Sequence, residues 1–172
     1  RVAMAKQFAA SGKGGKPILG SRIASLRVSD SQGTKFIFNK KAQAWDPADG
    51  KRPDACVKLV DDAPGKILLK SFRARTSIRW RVTRPARIVV VADLPSGEQN
   101  AIRNGRSDGV TISIGREGDE EIDTTYIYTP APQLVEMKMS KPGVAVLTLD
   151  GGPVGHRGSD RANLAVYEIV EE

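Results

Sequence analysis

The chain has 172 residues, 40% hydrophobic but only 5% aromatic, with 17 Gly and 10 Pro, which suits one turn-rich domain large enough to bury a core. Its 27 Lys and Arg outweigh 20 Asp and Glu for a net charge of +7, so an anionic partner enters the reasoning at once. Cys56 is the only cysteine and His156 the only histidine, which excludes an internal disulfide and a Cys/His zinc site, and apolar runs such as Ile88-Val89-Val90-Val91-Ala92 fall far short of the ~20 residues of a membrane helix.

Residues 1–15 read as a basic arm. Met4 to Ala10 has the composition for a turn or two of helix, but Ser11-Gly12-Lys13-Gly14-Gly15 cannot continue one, so flexibility is expected there. From residue 16 to 172 the pattern changes to short β-type segments broken by turn residues. The predicted strands are Ser21–Ser29, Lys35–Asn39, Ala55–Val60, Lys66–Arg75, Ser77–Thr83, Ala86–Ala92, Val110–Ile114, Thr124–Thr129, Leu134–Met139, Val144–Leu149 and Leu164–Val170. Between them stand turn signals such as Asp30-Ser31-Gln32-Gly33, Pro47-Ala48-Asp49-Gly50, Asp108-Gly109 and Pro142-Gly143. Only Glu98–Asn104 suggests a second helical piece. Many short strands without long helices between them argue for an all-β, antiparallel β-sandwich or barrel and against a βαβ fold.

Charge is segregated. Residues 1–16 carry Arg1, Lys6, Lys13 and Lys16, and residues 63–92 carry eight further cations, with no acid in either stretch; the rest of the chain holds 15 cations against all 20 acids. Within the second stretch, alternation from Phe72 to Val82 puts Phe72, Ala74, Thr76, Ile78, Trp80 and Val82 on one face and Arg73, Arg75, Ser77, Arg79 and Arg81 on the other. Such a row of like charges persists when solvated, paired with acids or laid against anions, and Arg84 and Arg87 extend it.

Other chemistry is thinner. The arm's Ser11-Gly12-Lys13-Gly14-Gly15-Lys16 lacks the strand before it and the Lys-Ser/Thr helix start of a P-loop, since Pro17 follows Lys16. Glu117 to Asp123 holds five carboxylates; a solvated acidic loop is the plainer reading, with calcium on Asp119, Glu121 and Asp123 as the alternative and no other cofactor expected. His156 near Ser159 and Asp160 reads as a loop histidine, Cys56 as a small core residue, and Trp45 and Trp80 as the few aromatic platforms for a sugar. An enzyme is not expected.

A glycine-rich basic arm, one all-β domain with a net-acidic body and one arginine-lined strand together resemble the coat proteins of small icosahedral RNA viruses, satellite viruses included. The resemblance covers the chain as architecture. It implies a jelly roll of eight to ten short strands that assembles with copies of itself into a closed shell, in a virion, around RNA bound without sequence specificity. On this sequence Lys6, Lys13 and Lys16 take the arm's role, while Arg73, Arg75, Arg79 and Arg81, with Arg84 and Arg87, become phosphate contacts. The competing class is a non-enzymatic, extracellular β-sandwich module that turns the same arginine row toward an acidic polysaccharide or a protein partner.

Overall fold

Alternating side chains between turn residues make strands, and a computed structural model, which describes residues 1–18, 25–60, 65–72, 74–153 and 159–170, folds the chain accordingly. In chain order the elements are α1 (Val2–Ser11), β1 (Arg27–Ser29), β2 (Phe36–Asn39), β3 (Ala44–Pro47), β4 (Ala55–Leu59), β5 (Lys66–Phe72), β6 (Thr76–Val82), β7 (Ala86–Asp93), α2 (Ser96–Arg103), β8 (Val110–Arg116), β9 (Ile122–Ile127), β10 (Gln133–Met139), β11 (Gly143–Gly151) and β12 (Ser159–Val170).

Every pairing is antiparallel. One sheet runs β1-β6-β11-β8-β9 and the other β10-β7-β12-β5-β4-β3-β2. Within these, β5-β12-β7-β10 faces β6-β11-β8-β9, and the chain crosses between sheets at every step from β5 to β12 except the β8–β9 hairpin. That interleaving is the jelly roll, two Greek keys folded on each other. The described residues hold twelve strands, above the expected eight to ten, because β1 and the β2–β4 meander widen the two sheets.

Between the sheets lies the core, with Ile67, Leu69, Ile78, Trp80, Ile112 and Leu147 fully buried. Trp45 and Trp80 belong to it at 5% and 2% exposure, so neither is a sugar platform. The alternation read as unbroken from Phe72 to Val82 falls on two strands in different sheets, so it does not make one arginine row: Phe72 ends β5 in the seven-stranded sheet, and Thr76 opens β6 in the five-stranded one. Arg73 lies outside the described residues.

The arm holds more helix than the turn or two expected, and the helix stops where the glycine run begins. α1 forms and docks on the outer face of the seven-stranded sheet, where Ala5 and Phe8 meet Val89, Val91, Leu134, Tyr167 and Ile169. The cause is in β7: Ile88 to Ala92 is apolar on both faces, and a strand of that kind needs cover on both. Phe8 meets Tyr167 edge-on at 5.0 Å, and Gly12, at φ 66°, ends the helix in the left-handed conformation that glycine adopts without steric cost. Arg1, just before α1, is tied to Asp123 at 2.5 Å.

Candidate functional site

The period of two in β6 sends Thr76, Ile78, Trp80 and Val82 inward and leaves Ser77, Arg79 and Arg81 on the outer face of the five-stranded sheet. Pairing then supplies neighbours that no single strand reveals. Arg79 stands directly opposite Arg27 of β1 on one side and Val146 of β11 on the other. Its Nη1 donates to Ser29 Oγ at 2.9 Å. Arg81, exposed, lies opposite Val144. Among the described residues Arg27, Arg79 and Arg81 have no carboxylate partner, whereas Arg75 is held by Asp150 at 2.8 Å. Two guanidinium groups facing each other across adjacent strands repel, a cost that solvent or a bound anion relieves.

Beside these cations an open trough of about 540 Å³ crosses β11, β8 and β9. Its lining is mixed: Thr148, Ser113 and Thr124 carry hydroxyls, Val146, Gly115 and Ile122 are apolar, and Glu117, Asp119 and Asp150 bring carboxylates beside Arg75, Arg79 and Arg116. Ser77 and Thr148 share a hydrogen bond of 3.1 Å, as do Ser113 and Thr124. A Cβ on Gly115 would stand 2.7 Å from Ile122 Cγ2, so glycine makes room for the Ile122 side chain over the strand. At the β9 edge Tyr126 and Tyr128 stack at 5.3 Å with 23° between their planes, and Tyr128 is 57% exposed. The Tyr126 hydroxyl donates to the Asp108 carbonyl. Partial burial, with Asp108 and Tyr128 beside it, raises the Tyr126 phenol above its usual pKa.

The other candidates do not join this surface. Arg84 is exposed in the turn before β7, and Arg87 points from the opposite face of the sandwich, its Nε 3.8 Å from Glu136. Lys6, Lys13 and Lys16 are exposed along α1 and the segment after it, on that same opposite side, where Gly14 touches Phe8 and Tyr167. Asp119, Glu121 and Asp123 do line one cleft of about 400 Å³ together with Glu136. Asp123, however, is occupied: it binds Arg1 and accepts the Glu136 amide at 2.9 Å. Burial opposes its charge, but these donors prevail and hold its pKa below the usual carboxylate value. Among the described residues no three metal-ligating side chains converge. Cys56 is half-buried on the outer side of β4 rather than in the core, Asp160 and Ser159 open β12, and His156 lies outside the described residues.

Sequence reasoning missed Arg27 and the tyrosine pair. The alternation Leu26-Arg27-Val28-Ser29 already marked Arg27 as outward, but only the β1–β6 register sets it against Arg79.

No protein-family model and no curated protein matches the chain. Solved structures do. The K3 cleaved adhesin domain of Lys-gingipain from Porphyromonas gingivalis W83 is similar over 89% of this chain and 94% of its own, at 7% identity and a TM-score of 0.51. TmCBM61, solved with β-1,4-galactotriose, covers 90% and 94% at 9% identity and a TM-score of 0.45. CBM86, a low-affinity xylan-binding module from Roseburia intestinalis, covers 85% and 96% at 12% identity and a TM-score of 0.40. At such identities the likeness is one of fold.

The coat-protein expectation is corrected on this ground. Its jelly roll is present, but the likeness that reaches a TM-score of 0.51 is to an adhesin domain and the cations assigned to the genome share no single inner surface, so the virion, the closed shell of copies and the packaged RNA are withdrawn. A jelly roll serves capsids and lectins alike, and the step from fold to function was the one that failed. The residues assigned to the genome lie on opposite faces of the sandwich, and the arm is a docked helix.

Proposed function

We propose that the chain is a non-enzymatic β-sandwich module that binds an acidic polysaccharide along the outer face of its five-stranded sheet, outside the cell or on its surface. The observation that carries this is the Arg27–Arg79 pair, set opposite each other with no ion-pair partner among the described residues, Arg79 also lining a trough that holds the hydroxyls of Thr148, Ser113 and Thr124 and the carboxylates of Glu117, Asp119 and Asp150. A guanidinium recognises a carboxylate or sulfate by two parallel N–H bonds, while Ser and Thr hydroxyls exchange hydrogen bonds with sugar hydroxyls. Tyr128 offers an exposed ring to the C–H face of a sugar. From β1 to β9 the sheet spans about 19 Å, four gaps of roughly 4.8 Å, enough for a short stretch of polymer. The likenesses show the fold alone, and the surface carries the reading.

Affinity electrophoresis in gels holding polygalacturonate, heparin or neutral galactan tests it. The protein is expected to be retarded by one of the two acidic polymers, which tells carboxylate from sulfate recognition, and to pass neutral galactan freely. Arg27→Gln with Arg79→Gln should weaken that retardation about tenfold, the loss of at least one charge-assisted contact. Free migration in all three gels, or retention by neutral galactan alone, overturns the proposal.

A further inference from the structure

Two cations on the outer face of the seven-stranded sheet are matched within it, Lys66 by Asp93 at 3.3 Å and Arg87 by Glu136 at 3.8 Å, and Arg1, before α1, is matched by Asp123 of β9 at 2.5 Å. Around Phe72, in the half of this face that α1 leaves open, the pattern changes. Register places Lys70 of β5 directly between Cys56 of β4 and Arg161 of β12, so two cations stand opposite each other on adjacent strands. Lys58 is the next outward residue of β4. Arg52, just before that strand, reaches over the Phe72 ring at 5.3 Å, and Lys70 Nζ lies 4.6 Å from the same ring. None of the four has an ion-pair partner among the described residues. Arg161's charge is felt by Glu98, but that carboxylate is buried and taken by the Ser107 hydroxyl at 2.7 Å and the Arg161 amide. Burial, Arg161, Arg52 and Lys58 together hold the Lys70 pKa below its usual value, although Cys56 acts the other way.

A like-charge pair at directly opposed strand positions destabilises a sheet, and two more cations beside it compound the cost. Phe72 holds Arg52 and Lys70 over one ring without neutralising them, while the Arg161 guanidinium lies beside Gly97 of α2. We propose that Lys58, Lys70, Arg161 and Arg52 form a second anion site, on the face of the sandwich opposite the glycan trough, for a tetrahedral oxyanion carried as a sulfate or phosphate ester. Several donors arriving from different strands suit the three free oxygens of such an ester better than the two of a carboxylate, which one guanidinium satisfies.

Cys56 is the chain's only cysteine and sits one strand from Lys70, which makes it a reporter. The rate of its alkylation by neutral iodoacetamide is measured with glucose 6-sulfate, glucose 6-phosphate or glucose, at ionic strength fixed with sodium chloride. One ester is expected to slow alkylation saturably, and the one acting at lower concentration identifies the group; glucose should do nothing. Lys70→Met and Arg161→Gln should each raise the half-protecting concentration about tenfold. Lys70→Met should also raise the thermal midpoint in the absence of ester, since it removes repulsion, which separates a binding role from a purely structural one. Arg27→Gln with Arg79→Gln should leave the response intact, so this site and the polysaccharide surface stand or fall separately. Alkylation indifferent to both esters, or protection unchanged in Lys70→Met and Arg161→Gln, overturns the site.

Discussion

Glu98 has no solvent exposure; its Oε1 accepts the Ser107 hydroxyl, and its Oε2 has no hydrogen-bond partner among the described residues. Burial raises its pKa and Asp160 adds to that, outweighing the Ser107 bond and Arg161. An acid whose folded pKa exceeds its unfolded value near 4.5 stabilises fully below that value, and the contribution is lost as pH rises through the folded pKa. Glu98→Gln is therefore expected to stabilise by about 1 kcal/mol at high pH and to flatten the stability profile, read from urea midpoints across the pH range. Asp30 has the opposite sign. Burial opposes its charge, but the Thr34 hydroxyl and the amides of Thr34, Asp54 and Gln32 prevail and lower its pKa from 3.8. Its contribution is present above 3.8 and lost as pH falls through the lower folded value, so Asp30→Asn should cost about 1–2 kcal/mol at neutral pH and little once the carboxyl is protonated. At this scale alternation made Arg79 and Arg81 legible as outward residues. It did not disclose Arg27 opposite Arg79, or Arg161 opposite Lys70, because register joins strands far apart in the chain.

Each of the eleven predicted segments overlaps a strand, since each carries β-type side chains between turn residues, although of Ser21–Ser29 only Arg27–Ser29 is a strand and residues 21–24 lie outside the described residues; α2 fell close to its expected place. β3 was not seen because Pro47 closes it and the following Ala48-Asp49-Gly50 reads as a turn; its apolar anchor, Trp45, packs against Phe38 of β2 at 4.9 Å. The α1 helix was half-visible. Its own residues promised only a turn or two, and what stabilises it is the apolar outer side of β7, β10 and β12. Phe8→Ala should cost about 1–2 kcal/mol, less than a fully buried Phe, and should speed hydrogen exchange in α1 while the core strands stay protected. Equal loss of protection in β7 and β12 would show instead that the helix is required for the sandwich.

At the scale of the whole molecule, charge separation along the sequence was read as one anion-binding face, yet folding distributes those cations over two. β6 and β7 are neighbours in sequence but belong to different sheets, so Arg79 and Arg87 emerge on opposite sides. The jelly roll itself was correctly inferred, and the function attached to it was not, because one sandwich presents many surfaces. A module of this kind should sediment as a small species at all concentrations, rather than as a particle.

Polymer lying across the five-stranded sheet is tested most directly by backbone amide shifts during titration with an oligogalacturonate or a heparin oligosaccharide. Saturable shifts are expected at Arg27, Arg79, Thr148, Ser113 and Tyr128, spread across β1, β6, β11, β8 and the residue just past β9. Shifts confined to the seven-stranded sheet, or none at saturating ligand, would contradict it.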